Sequence, residues 1–404
     1  MTRRRGRPLA FAVVASALVL VVAAATSTAP LFRAPAPPAP ADTLTLYSSF
    51  TEAGSWSSAS RSFENAIALA VEDADARAGR FALRYVPLND AGADGKPDTS
   101  AAGANADRAG ADKTAIAFVG ASSRTATRAV ALVLNRAKLA LLAPADRGPD
   151  LTRDARYSPT GARTTFRVIP SELAQAEAAA RWLSALGHGA VAVVDDGTTY
   201  ATPIADAFAA RAPAAGLRVT GRERAAKGED PMQVAKRVAA TSPGAVLLVA
   251  LDEGEAAKIV THLRTALPSA TLMGLDALTS DDFLKAAGAA AEGMYAMFPG
   301  VPLDRYTGDT RRWLERYEAR YGGEPHPYAV YAYDAATLAI AAARRAGDGA
   351  TDRERMLRAL HDVAKGYAGL LGTWSLDGDG ETTAITHTAV QARGGHWIFS
   401  RLLG

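Results

Sequence analysis

The stretch best suited to hold a ligand is residues 116–144, IAFVGASSRTATRAVALVLNRAKLALLAP. An apolar run ends at Gly120, and Ala121, Ser122, Ser123, Arg124 and Thr125 form a small polar loop. Ala126, Val130, Val133, Leu134 and Ala137 then recur at helical spacing, and residues 139–142 give a second apolar run closed by Ala143 and Pro144. This is a strand–loop–helix–strand unit whose strands should be parallel. The loop leaves the carboxyl end of a strand and enters the amino end of a helix. Free backbone N–H groups gather there, which suits a carboxylate or a phosphate.

Chemistry of other kinds finds no motif. Gly120-Ala121-Ser122-Ser123 lacks the closing glycine of a nucleophile elbow. Neither GxxxxGK[ST] nor a strand-to-helix GxGxxG is present, so no nucleotide cofactor is indicated. The histidines 188, 262, 326, 361, 387 and 396 never stand three or four residues apart, which excludes a helical metal pair. His387 and His396 are expected on surface strands. The DGDGE run at 377–381 begins like a calcium loop but lacks its later glycine and acid, and reads as a hairpin turn. With no cysteine in 404 residues, thiolate nucleophiles, disulfides, zinc-thiolate sites and lipidated cysteines are all excluded. No catalytic constellation, metal site or cofactor is expected.

A net charge of +3, with arginines scattered, gives no nucleic-acid stripe and little attraction to a membrane surface. The N-terminus carries Arg3, Arg4, Arg5 and Arg7 ahead of an uncharged apolar run from Leu9 to Ala25. That is the pattern of an export signal over residues 1–29, removed or kept as a membrane anchor. PLFRAPAPPAPA at 30–41 reads as an extended linker.

The remaining chain must position the loop. Strand and helix patterns alternate from Leu44, with a serine-rich loop expected over 48–60 and a polar loop over 89–103. A second alternating set starts at Glu172, with Thr202 and Pro203 expected at the start of one of its helices. Three helices follow Asp309, the last opening on a Thr351-x-x-Glu354 capping box. A short antiparallel tail ends the chain. The fold class is therefore α/β, with two parallel-sheet sets covered by helices and a cleft between them.

Several motifs, in order, resemble the extracytoplasmic solute-binding proteins of the leucine/isoleucine/valine-binding type, the type I periplasmic binding proteins that serve ATP-driven importers. They include NAIALAVED at 65–73, Phe118-Val119-Gly120, FRVIP at 166–170, MGLD at 273–276, Ala291-Glu292-Gly293 and Leu371-Gly372-Thr373-Trp374. The resemblance runs from about Leu44 to Ser400. It implies two doubly wound lobes joined by three crossing segments, near Ile169-Pro170, near Phe298-Pro299 and near 369–372. Lobe one would comprise 42–168 and 299–367, and lobe two 169–298 and 368–404.

The resemblance also implies a site. Ser123, Arg124 and Thr125, with Ala145 and Arg147, would face the ligand carboxylate from lobe one. Tyr200 and Asp276 would meet its ammonium from lobe two, and Leu251 stands where an aromatic often closes the pocket. Asp252 beside it is expected to cap a helix rather than touch ligand. Arg124 and Arg147 replace the family's small hydroxyl residues. They could grip an amino acid's carboxylate, select an acidic ligand, or stay solvated. The implied function is capture of a small amino-acid-like ligand for the permease of an ABC importer, by a protein exported to the cell envelope. A membrane-anchored sensor or interaction domain with a degenerate pocket is the alternative.

Overall fold

The computed structural model describes residues 42–404. The export segment and linker expected over 1–41 lie outside the described residues. The first sheet holds β1 (Thr43–Phe50), β2 (Arg77–Ala78), β3 (Phe81–Asn89), β4 (Ala115–Gly120), β5 (Ala140–Ala143) and β6 (Thr165–Arg167), in the order β2-β3-β1-β4-β5-β6. All its pairings are parallel except the short β2–β3 contact. Helices α1 (Ser57–Asp73), α2 (Thr99–Ala111) and α3 (Arg124–Arg136) connect these strands. Apolar runs such as Ile116 to Val119 are buried on both faces, as a helix-covered parallel sheet requires.

The second sheet is built from β7 (Ala190–Asp195), β8 (Arg218–Arg224), β9 (Ala245–Val249), β10 (Thr271–Gly274) and β11 (Tyr295–Pro299). Between these strands lie α5 (Ala201–Arg211), α6 (Pro231–Ala240), α7 (Glu253–Ala266) and α8 (Asp281–Ala287), and α4 (Glu172–Ala185) precedes them. The chain then returns to the first core through α9 (Gly308–Tyr321), α10 (Ala329–Ala346) and α11 (Arg353–Val363). A hairpin of β12 (Tyr367–Gly369) and β13 (Gly372–Trp374) follows. Finally β14 (His387–Arg393) and β15 (His396–Leu403) extend the second sheet antiparallel, giving β15-β14-β11-β10-β9-β7-β8. The molecule is two doubly wound α/β lobes. Each sheet reverses its winding beside its first main strand, between β1 and β4 and between β7 and β9, which is where ligand loops diverge in such folds.

The third crossing comes later than 369–372. Trp374 and Leu376 are buried in the first core, and the Trp374 indole N–H donates to buried Asp334 at 3.1 Å. Asp334 also accepts from the N–H groups of Leu370 and Leu371, at 2.8 and 3.1 Å, so this hairpin is tied to α10.

Other departures are local. β1 runs through Ser48 and Ser49 instead of stopping at Tyr47, because their hydroxyls pair with Tyr85 at 2.7 Å and Asp90 at 3.2 Å. Helix α2 replaces part of a loop, capped by Asp98 and packed through Ala102, Ala106 and Ala109. Thr202 does not open α5: the helix already runs from Ala201, and the Thr202 hydroxyl donates to Asp195 at 3.0 Å. Asp352, not Thr351, caps α11.

Candidate functional site

The strand ends supply the site. Ser123 caps α3, its hydroxyl accepting from the Ala126 N–H at 3.2 Å. Gly120 is required just before it: a Cβ there would lie 2.6 Å from the Ser49 carbonyl oxygen, with φ at +152°. Arg124, in the first turn of α3, reaches out of the first lobe. It pairs with Glu172 at the start of α4 and donates to the Thr199 carbonyl at 3.3 Å.

Arg147, in the loop beyond β5, is buried and reaches further. Its guanidinium pairs with Asp276 after β10, and Tyr200 donates to the other Asp276 oxygen at 3.1 Å. Its Nε–H donates to the Pro170 carbonyl at 3.2 Å, and it also bonds the amide oxygen of Gln175 and the hydroxyl of Tyr328. Residues from both lobes thus meet at one guanidinium.

Burial would lower the Arg147 pKa, but Asp276, with Tyr328, Tyr200 and Glu172, overrides it and holds the charge. Burial pushes Glu172 up against the opposing pull of Arg124 and Arg147. Burial and then the Asp276 charge keep the Tyr200 hydroxyl protonated far above its ordinary range. His387 is fully buried beside this group. Its Nδ1 lies 2.7 Å from the Ile385 carbonyl, a contact that only an Nδ1–H can make, which leaves Nε2 a bare acceptor. Burial, and then the Arg147 charge, hold its pKa at about 3, so the ring is neutral.

A cavity of about 300 Å³ opens beside Asp276, walled by Phe298, Pro327, Tyr328, Val390 and Trp397. Among the described residues no group of three acids or histidines could hold a metal ion. The arrangement can bind and enclose; it presents no nucleophile beside a base.

The model of the family described as periplasmic binding protein matches residues 48–395. The chain belongs to the periplasmic binding protein family. A putative branched-chain amino acid ABC transporter structure from Rhodospirillum rubrum is 25% identical, with a TM-score of 0.72, covering 89% of this chain and 100% of that one. The substrate-binding protein from Desulfitobacterium hafniense in complex with Leu is 20% identical, with a TM-score of 0.72 and coverage of 89% and 100%. A solute-binding protein from Rhodopseudomonas palustris in complex with p-hydroxybenzoic acid is 16% identical, with a TM-score of 0.69 and coverage of 90% and 96%. A search of the curated proteins finds no match. Membership places this chain among exported, non-catalytic binding folds. Among the described residues no helix is long and apolar enough to cross a membrane.

Within this periplasmic binding protein, the residues singled out from the sequence divide into two groups. Arg147, Tyr200 and Asp276 converge, and Ser123 and Arg124 stand on the facing loop. Thr125 is exposed, its hydroxyl 3.4 Å from that of Ser123, and Ala145 packs against the first core. Leu251 is set apart, 55% exposed at the rim of a separate cavity of about 380 Å³ between α6 and α7. Asp252 caps α7 through the Glu255 N–H. His387 is not on the surface: it pairs with Pro299 in the interior of the sheet, at the passage between lobes.

Glu172, Gln175 and Tyr328 complete the site; the first two carry no motif in the sequence, and Tyr328, in the Pro327-Tyr328-Ala329 run that resembles the family, reads there as helix packing near the crossing between lobes. The one available signal was position, since Glu172 and Gln175 open the helix immediately after the first crossing.

Proposed function

We propose that this protein captures a small amino-acid-like carboxylate between its lobes and delivers it to the membrane permease of an ATP-driven importer. The observation that carries this reading is the convergence on one point of Arg147 from the first lobe with Asp276 and Tyr200 from the second. A ligand seated there touches both lobes, so its binding energy favours the closed form over the open one. The loop at Ser123, Arg124 and Thr125 takes the carboxylate, and the aromatic-walled cavity beside Asp276 takes the body. The relatives bound to leucine and to p-hydroxybenzoic acid support a small carboxylate as cargo. The N-terminal apolar segment exports the chain and either is removed or anchors it to the membrane.

Thermal unfolding of the purified protein across amino acids, amides and small organic acids tests the reading. A ligand near a hundred times its Kd raises stability by about 2.7 kcal/mol, and a midpoint that stays flat across the whole set rejects it.

A further inference from the structure

We propose that Arg147 stands in for the ligand's ammonium group, so that the cleft selects a carboxylate lacking an α-amine, such as a 2-oxo, 2-hydroxy or aromatic acid. The inference rests on the solute-binding reading and names the substrate class of that same site.

Asp276 is the carboxylate an ammonium would seek in this cleft. Its two oxygens already receive Arg147 and Tyr200. Arg147 is not a loose side chain that could swing aside. Its guanidinium is held by the Pro170 carbonyl, Gln175 and Tyr328 in addition to Asp276, and Gln175 is itself fixed by donating to the Met297 carbonyl at 3.0 Å. The second cation of the cleft is matched in the same way, Arg124 by Glu172. The two arginines and two acids therefore balance before any ligand arrives.

An α-amino acid has two ways in, and both are costly. Its ammonium can displace Arg147, which leaves a buried guanidinium without its anion. Otherwise it sits beside a neutralised Asp276 and is repelled by the neighbouring guanidinium. A carboxylate without an amine meets neither cost. Its body enters a cavity whose walls are mainly Phe298, Pro327, Tyr328, Val390 and Trp397, and in which burial pushes the pKa of His326 down, against a charged ring. Binding energy there comes from apolar area and not from a second charge.

The test is calorimetric titration of the purified full-length protein with leucine, with 4-methyl-2-oxopentanoate (the same skeleton with a ketone in place of the amine) and with benzoate. The expected result is that one of the two amine-free acids binds on the order of a hundredfold more tightly than leucine, the penalty of breaking a buried pair. Leucine binding as tightly as both acids overturns the proposal and leaves solute capture standing. No binding by any of the three, with no thermal shift across the wider set, overturns both. Two variants separate the role of Arg147 from plain structural support. Arg147→Ala frees Asp276 and should admit leucine. Asp276→Asn, which keeps the shape and removes the anion, leaves the Arg147 guanidinium without a counter-charge and should tighten binding of the amine-free acid several-fold. A loss of that affinity in Asp276→Asn, measured on protein with an unchanged unfolding profile, overturns the proposal even where Arg147→Ala does not fold.

Discussion

Gln175 offers its amide oxygen to Arg147 while its amide nitrogen donates to the Met297 carbonyl at 3.0 Å. One side chain of α4 thereby links β11 to the loop beyond β5, across the passage between the lobes. Gln175→Leu keeps the volume but leaves a guanidinium donor and a buried carbonyl unpaired. We expect a loss of about 2 kcal/mol in denaturant unfolding, with the slope against denaturant unchanged.

Arg124 and Glu172 form the other pair across the cleft, the arginine partly exposed and the acid buried. Removing the arginine leaves a buried carboxylate that burial already pushes toward protonation. Arg124→Ser should therefore destabilise more than Glu172→Gln, and a double-mutant cycle should return a coupling of about 1–3 kcal/mol. Small-angle scattering of unliganded Arg124→Ser should report a more open molecule than the parent.

His387 makes the protein acid-sensitive. The unfolded chain binds a proton on this ring near pH 6.5, whereas the native ring, held at about 3, does not. Stability is therefore lost as the pH falls from 6.5 toward 3, at a limiting rate of about 1.4 kcal/mol per pH unit for this one group. His387→Asn keeps a donor for the Ile385 carbonyl and removes the titration. Its stability relative to the parent should rise between pH 7 and pH 5, measured by unfolding at each pH.

Asp334 gathers three donors at the hairpin of β12 and β13, and burial raises its pKa to about 6 despite them. The raised value means that its pH-linked stabilisation is complete below its unfolded value of 3.8 and is lost as the pH climbs through about 6. Asp334→Ala strands two backbone N–H groups and the Trp374 indole, and should cost about 3 kcal/mol at neutral pH in the same unfolding experiment.

The lobes were legible because buried parallel strands leave continuous apolar runs, as Val191 to Val194 and Ile116 to Val119 do. Helix α2 left no such trace: its buried face is three alanines, too small to stand out from a polar, glycine-bearing stretch. The extension of β1 was hidden for the opposite reason, since its serines look like loop residues until Tyr85 and Asp90 satisfy them. At the site, Arg147, Tyr200 and Asp276 were named through the resemblance to the family, and each lies in a segment that follows a strand. That the first would take the third as its partner could not be read there, because 129 residues separate them and only the packing of one lobe against the other brings them together. His387 looked like any polar residue of a two-stranded tail, and only its pairing with Pro299 puts it inside.

Helix α10 has a consequence for the order of assembly. It packs against α1 and fills the first core with Val330, Tyr331, Leu338 and Ile340, although the second lobe, all but β14 and β15, is strung between them in the chain. During synthesis from the amino end, the first lobe's sheet is complete at Arg167 while one of its faces still lacks its cover. The second lobe, except for its last two strands, emerges and can condense before the first has a finished interior. The protein's beginning must therefore wait for its end, and the ligand cleft forms only after both have met.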